Sequence, residues 1–379
     1  MLVIPGMIAL DDGPTVDFAE IRRARRERVQ REMEAEGVEL LLLGREDLAR
    51  FATGARRLWT AGTRPFAPTC ILTAAGEVRL MSQYDDGVPP EIPLEHLFPL
   101  TWNPLNFLEV IGSIPGASAA GRVAVDGISP LFNQLLRAAL PSARFVDALP
   151  LLRRAQRVKS AAELTCLRLA CAVTEAGVAA AQRRLQAGAR AAGLLAGYRA
   201  ATAHLGVTTV GVEGPVGVLT SGPPHVSDRL FTVGVPVAIG GGSAYAGYLG
   251  VVGGTWSCPP PGSTAAPIGE WRIVRDAVVD ACRPGASGDD LRKAYVGAGG
   301  VLVAGIPAVS SVGVGFEGVV VGAENPHGQS PYAELEAGMA LALQVVVSGD
   351  PPSYGACTVH VTDGPAELLN VDPMPGESQ

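Results

Sequence analysis

From residue 151 onward the chain repeats one order of elements: two helices and then strands, twice over. Ser160–Leu185 is a long Ala/Leu/Arg-rich helix. It opens with Ser160 and carries Glu163 three residues later, the spacing of a capping box. Ala189–His204 gives the second helix. Strand-rich sequence follows over Val207–Thr220, Pro236–Ile239 and Tyr245–Trp256, with Gly240–Gly242 read as the turn. Two more helices are predicted near Ile268–Cys282 and Ser287–Val296, separated by Pro284-Gly285. Strands return at Ala308–Val314, Ala340–Val347 and Thr358–Val361. The order implies an internal pseudo-repeat.

The region before it has another texture. A helix over Val16–Gly37 feeds the apolar run Val38–Leu43, a buried-strand signal. Further strands are predicted at Thr69–Thr73, Val78–Met81, Val123–Val125 and Arg144–Val146, with a helix over Pro130–Leu140. Alternation of this kind predicts an α/β domain over residues 1–150, followed by a second domain over 151–379 that carries the pocket. A chain of 379 residues is too long for one ordinary core.

Composition narrows the function classes. Net charge is −7 and no basic stretch interleaves with aromatic residues, which argues against nucleic acid as a partner. The Arg-rich run Arg22–Arg31 shares a helix with Phe18, Ile21, Val29 and Met33 and reads as a solvated face. The six Cys show neither CxxC nor zinc spacing, and Cys166 and Cys171 read as core thiols. No signal sequence and no 18-residue uncharged apolar run is recognised, so the expected location is cytoplasmic, with no membrane partner.

Several segments carry a resemblance. "GREDLARFATGARR" and "RPFAPTCILTAAGEVRLM" lie in the first half. "FVDALPLLRRAQRVKSAAELTCLRLA" joins the halves, with Arg157-Val158-Lys159-Ser160 one residue tighter than the pattern Arg-x-x-Lys-Ser-x-x-Glu. "RPGASGDDL" and "LEAGMALALQ" follow in the second half. Together they resemble the aminopeptidase P / prolidase / creatinase superfamily (metallopeptidase family 24). The resemblance implies a creatinase-like N-terminal α/β domain and a C-terminal pita-bread α+β domain. In that domain two αβ halves surround a curved, mostly antiparallel sheet.

It also implies where that superfamily's ligands should stand. In "VAIGGGSAYAGYLGVVGGTW" the pair Gly247-Tyr248 fixes the register, so the first Asp falls on Gly240 and the second on Val251. The His falls on Val312, with a second His on Val319. The two Glu fall on Gln344 and Ala356. None of the five metal positions is a carboxylate or an imidazole, so the expectation is no metal and no cofactor. Creatinase, the metal-free relative, uses a His assisted by carboxylates. "SGPPHVSDRLFTVG" places His225 where that His sits, but the carboxylate positions read Gly253 and Gln344. The emptied positions Gly240, Val251, Val312 and Ala356 should then line a roomier, drier pocket, the usual form of a small-molecule site.

His225 is the candidate proton carrier, since imidazole titrates near neutrality. Glu317, Glu324 and His327 are candidates to orient it or hold substrate, or else are ordinary loop and strand residues. Gln344 would hold a carbonyl or oxyanion. Arg64 resembles an Arg that in this superfamily's dimers reaches a neighbouring subunit's site; it is either a clamp for a substrate carboxylate or a surface ion pair. Tyr248 offers a hydroxyl or serves as a structural turn residue. His96, His204 and His360 read as ordinary. "GVGFEG" matches GxGxxG but runs into a strand, and "GGGSAYAG" reads as a hairpin turn rather than a phosphate loop.

The expected function is a metal-independent enzyme acting on a small molecule, whose C–N or amide bond is hydrolysed, or on a metabolite that is cyclised, isomerised or eliminated. The alternative is a non-catalytic pseudo-aminopeptidase that binds a peptide or small ligand. A homodimer is expected.

Overall fold

The computed structural model describes residues 16–55, 68–82, 85, 87–99, 103–207, 210–212, 216–219, 230–323 and 334–371. They fall into two compact units, one within Met7–Gln156 and another within Arg157–Gln379.

The first unit contains α1 (Phe18–Glu36), β1 (Leu40–Leu43), α2 (Glu46–Thr53), β2 (Cys70–Thr73), β3 (Val78–Met81), β4 (Leu97–Phe98), α3 (Pro104–Gly112), β5 (Arg122–Val125), α4 (Pro130–Ala139), β6 (Arg144–Asp147) and α5 (Leu149–Arg157). Its sheet runs β4-β3-β2-β1-β5-β6. β1 pairs parallel with β5 and antiparallel with β2, and all four of its leucines are buried. A strand covered on both faces reads as a continuous apolar run, as Leu40–Leu43 does. The Arg-rich face of α1 departs from expectation: Arg22 and Arg25 are buried. Arg22 reaches Glu91 at 2.9 Å, and Arg25 lies over the Phe51 ring. Long side chains of this kind bury their stems and need a partner for the head.

The second unit opens with α6 (Ala161–Gln182) and α7 (Ala191–His204), then β7 (Val210–Val212), β8 (Val216–Val218), β9 (Pro236–Tyr245), β10 (Tyr248–Ser257) and β11 (Ala266–Ile268). The second pair of helices, α8 (Trp271–Ala281) and α9 (Gly288–Gly297), precedes β12 (Val309–Gly313), β13 (Gly315–Val321), β14 (Ala340–Val347), β15 (Ser353–His360) and β16 (Glu367–Leu368). The predicted cap forms: Ser160 with Glu163 opens α6; a second capping box, Ser287 with Asp290, opens α9. The sheet is antiparallel, in the order β13-β12-β14-β15-β10-β9-β7. β8 also pairs with β9, β11 with β10 and β16 with β15. This is the pita-bread arrangement, with each helix pair followed by its own strands.

A second expectation fails. Gly240–Gly242 make no turn but lie inside β9. The hairpin turns instead at Ala246-Gly247, whose φ values of 52° and 88° meet the demand of a two-residue primed turn for positive φ at both positions. Glycine is rare in strand interiors unless another group approaches closely, and that is the case here. A side chain on Gly241 would strike Tyr198 of α7.

α6 alone among the described helices is long and apolar enough to cross a membrane, but two-thirds of its apolar window (67%) is buried inside the fold. It packs on β9 and β10: a Cβ on Gly250 would lie 2.4 Å from the Cys171 backbone nitrogen.

Candidate functional site

Residues alternate between the two faces of each strand. Gly241 and Gly250 face α7 and α6, and Gly355 faces Trp271 of α8. Their neighbours Gly240, Val251, Gly253, Tyr354 and Ala356 therefore belong to the face away from the helices. The register joins them. Gly253 pairs with Gly240 on one side and Ala356 on the other, and Ala356 pairs with Gln344. Gly240, Gly253, Ala356 and Gln344 thus form one row across four strands. Val251 lies two residues along β10, on the same face.

Tyr354 covers this row. A Cβ on Gly240 would stand 3.2 Å from its Cε1, and one on Gly253 would stand 2.9 Å from the same atom. The ring is 1% exposed. Its hydroxyl donates to Gln344 Oε1 at 3.2 Å, while Gln344 Nε2 donates to the Pro307 carbonyl at 3.4 Å. The carbonyl on the far side fixes the amide orientation, because two oxygens would otherwise face each other. Burial pushes the Tyr354 phenol well above its ordinary range, so it remains a neutral donor.

Two hydroxyls flank the Gly253–Ala356 pair. Thr255 Oγ1 donates to the Tyr354 carbonyl and accepts from its N–H, both at 2.8 Å. Thr358 Oγ1 does the same for Val251, both at 3.0 Å. Each thus satisfies the backbone of the residue opposite, where a ladder bond is missing.

The expected site residues are distributed unevenly. His225, Arg64, Glu324 and His327 lie outside the described residues. Gly240, Val251, Gln344 and Ala356 come together on one face. Val312 is fully buried on β12, next to Gly313, whose own face meets Glu317 and Lys159. Tyr248 and Glu317 belong to a separate polar cluster at the start of α6. The Tyr248 hydroxyl donates to Glu163 Oε1 at 2.7 Å. Glu317 accepts from Lys159 Nζ at 2.6 Å and from Ser311 Oγ at 2.8 Å. Burial pushes the Glu317 carboxyl up, against the pull of Lys159. His360 sits at the end of β15 with Glu367 3.5 Å away, and His204 ends α7.

The side chains at the five expected ligand positions do not fit a metal ion. They offer one neutral amide oxygen, already bonded to Tyr354. A divalent ion in this type of site needs several oxygen or nitrogen donors, mostly anionic. Among the described residues, no three His, Cys, Asp or Glu side chains gather as a metal-binding group. The six cysteines are buried free thiols; burial pushes Cys70, Cys171 and Cys282 up to about 12. They are poor nucleophiles in that state.

A cavity of about 360 Å³ adjoins the outer end of the row. Val303, Ile306, Pro307, Val319 and Ala323 line it. Pro307 is the residue that accepts from Gln344, and Val319 pairs with Ser310 across β12 and β13. The Ser310 hydroxyl is buried and has no hydrogen-bond partner among the described residues.

Sequence reasoning missed Tyr354, Thr255 and Thr358. Their roles depend on which strands become neighbours, and no local motif announces that.

No family model and no curated protein matches the sequence. Solved structures do match over nearly the whole chain. The Xaa-Pro dipeptidase of Bacillus anthracis superposes with a TM-score of 0.72 at 14% identity, covering 93% of this chain and 98% of that one. The dipeptidase PepE of Mycobacterium ulcerans gives 0.70 at 21% identity, covering 94% and 98%. Proline aminopeptidase P II of Yersinia pestis gives 0.68 at 14% identity, covering 93% and 96%. The likeness establishes the fold. The chain has the two-domain pita-bread fold of prolidases and aminopeptidases P, with Gly240, Val251, Val312, Gln344 and Ala356 where the resemblance puts metal ligands.

Proposed function

We propose that this chain is a metal-independent enzyme acting on a small molecule. The fold is one used by hydrolases. The observation that carries the reading is the row Gly240–Gly253–Ala356–Gln344 under the neutral Tyr354–Gln344 pair. A site without anionic groups suits a neutral or anionic substrate. A fixed amide dipole at a half-buried position acts more strongly than it would in water. His225 would carry the proton, and Gln344 would hold a carbonyl or oxyanion. The reaction is hydrolysis of a C–N or amide bond, or cyclisation, isomerisation or elimination of a metabolite. In a homodimer, Arg64 of a second copy would clamp a substrate carboxylate, while the apolar cavity beside Pro307 would take the substrate's hydrocarbon part.

A second reading, a non-catalytic protein that binds a peptide or small ligand, is favoured by the burial of Tyr354 over the row. The test is a metabolite screen in EDTA with wild type and His225→Ala. Turnover that survives EDTA and disappears in His225→Ala supports the enzyme. Turnover unchanged by His225→Ala refutes His225 as proton carrier. Ligand binding with no turnover in wild type favours the second reading.

A further inference from the structure

We propose that Tyr354 is the residue that commits this site to metal-free chemistry. Its ring fills the space into which a carboxylate on Gly240 or Gly253 would extend, so the missing ligands and the tyrosine are one coupled change. The argument is steric. A Cβ on Gly240 already stands 3.2 Å from Tyr354 Cε1 and 3.4 Å from its hydroxyl oxygen. An aspartate places its carboxylate carbon about 1.5 Å further out, at the length of a carbon–carbon bond. A carboxylate carbon turned toward the ring would overlap it. At Gly253 the crowding is tighter: Tyr354 Cε1 lies at 2.9 Å, the Gly240 Cα at 3.0 Å and the Ile239 carbonyl oxygen at 3.2 Å.

The ring is not free to swing aside. Its hydroxyl is bonded to Gln344, and the side chain is enclosed, at 1% exposure. Gly240 is where the resemblance puts the first metal-ligating Asp, and Gly253 is where it puts a creatinase-type carboxylate. One side chain therefore crowds both positions, joined at Gly253 by the backbone of β9. This inference rests on the register of β9, β10, β14 and β15 and holds whether or not His225 carries a proton.

The experiment restores the ligands in the full chain. One variant carries Gly240→Asp, Val251→Asp, Val312→His, Gln344→Glu and Ala356→Glu with Tyr354 kept. A second adds Tyr354→Ala. Each is titrated with Co²⁺, read by visible absorption and by metal content after gel filtration. Far-UV circular dichroism reports the fold. The first should take up no stoichiometric Co²⁺ and the second should. Stoichiometric Co²⁺ with Tyr354 in place would overturn the proposal, as would its absence from a well-folded second variant. If the multiple variants do not fold, a thermal cycle decides. Gly240→Asp should lower Tm in the parent and lower it much less in a Tyr354→Ala background. Equal drops would overturn the proposal. Neither readout depends on activity, so failure of the enzyme reading leaves this test intact.

Discussion

Lys159 and Glu317 form an ion pair of 2.6 Å, with both side chains 2% exposed. Lys159→Met removes the ammonium and keeps most of the stem. Breaking a buried pair by deleting one partner costs about 3–5 kcal/mol, because a charge is left uncompensated. Glu317 can escape part of that cost by taking a proton. From its ordinary value of 4.5, protonation costs roughly 3.4 kcal/mol at pH 7 and roughly 0.7 kcal/mol at pH 5. The escape is cheap in acid, so the loss must depend on pH. In the variant the folded carboxyl is raised above its unfolded value. Its stability contribution is full below 4.5 and is lost as pH rises through the folded value, at about 1.4 kcal/mol per pH unit. We expect Lys159→Met to cost about 3 kcal/mol at pH 7 and about 1 kcal/mol at pH 5. Urea unfolding at pH 5, 6, 7 and 8 would measure this, with amide hydrogen exchange of peptides from β12, β13 and the start of α6 locating it. A loss that is the same at every pH would refute the electrostatic reasoning. The double variant Lys159→Met with Glu317→Leu should recover most of the loss. If it does not, packing rather than charge is responsible.

Two further outcomes follow from burial. Gly250→Ala should unfold or severely destabilise the second unit, since its Cβ would lie 2.4 Å from the Cys171 backbone nitrogen, and α6 would have to move off the sheet. A cooperative melt close to wild type would contradict the packing described. In the first unit, burial raises the Asp126 carboxyl to about 6 from 3.8, despite hydrogen bonds from the Gly44 and Arg45 backbone N–H groups. A raised carboxyl contributes stability in full below 3.8 and loses it as pH rises through 6, a change on the order of 3 kcal/mol. Urea midpoints should therefore fall across this window in wild type, and Asp126→Asn should flatten the fall; equal slopes would refute the assignment.

Most elements were legible because their signals are local. Ser160 with Glu163 announced α6, Pro284-Gly285 separated α8 from α9, and Leu40–Leu43 announced a buried strand. The Gly240–Gly242 turn misled because glycine signals both turns and close approach, and the sequence does not say which. The burial of Arg22 and Arg25 depends on Glu91 and Phe51, distant in sequence, and was equally invisible. At the site, the absence of ligands could be read from register against a known pattern. Tyr354 could not, because it reaches Gly240 through β10 and the contact exists only once the sheet is assembled.

The two halves of the sheet meet where Gly253 pairs with Ala356, and the clamps on either side are alike. Thr255 lies two residues after Gly253, and Thr358 two residues after Ala356; each holds the backbone of the residue opposite. These bonds engage N–H and C=O groups only, so they are indifferent to the side chain that the clamped residue carries. A metal ligand at position 251 can become Val251 without loosening the join. The scaffold is in that sense separable from the site it presents, and the fold can outlast the chemistry. Separability alone would allow the positions where the resemblance puts ligands to take any size that fits the strand. Positions 240 and 253 are not free in this way, because the Tyr354 ring leaves room for little beyond glycine at either. A site that had merely eroded would have no reason to gather a buried, hydrogen-bonded tyrosine over two glycines. The mutual fit of Tyr354, Gly240, Gly253 and Gln344 is the argument for a centre repacked around neutral side chains.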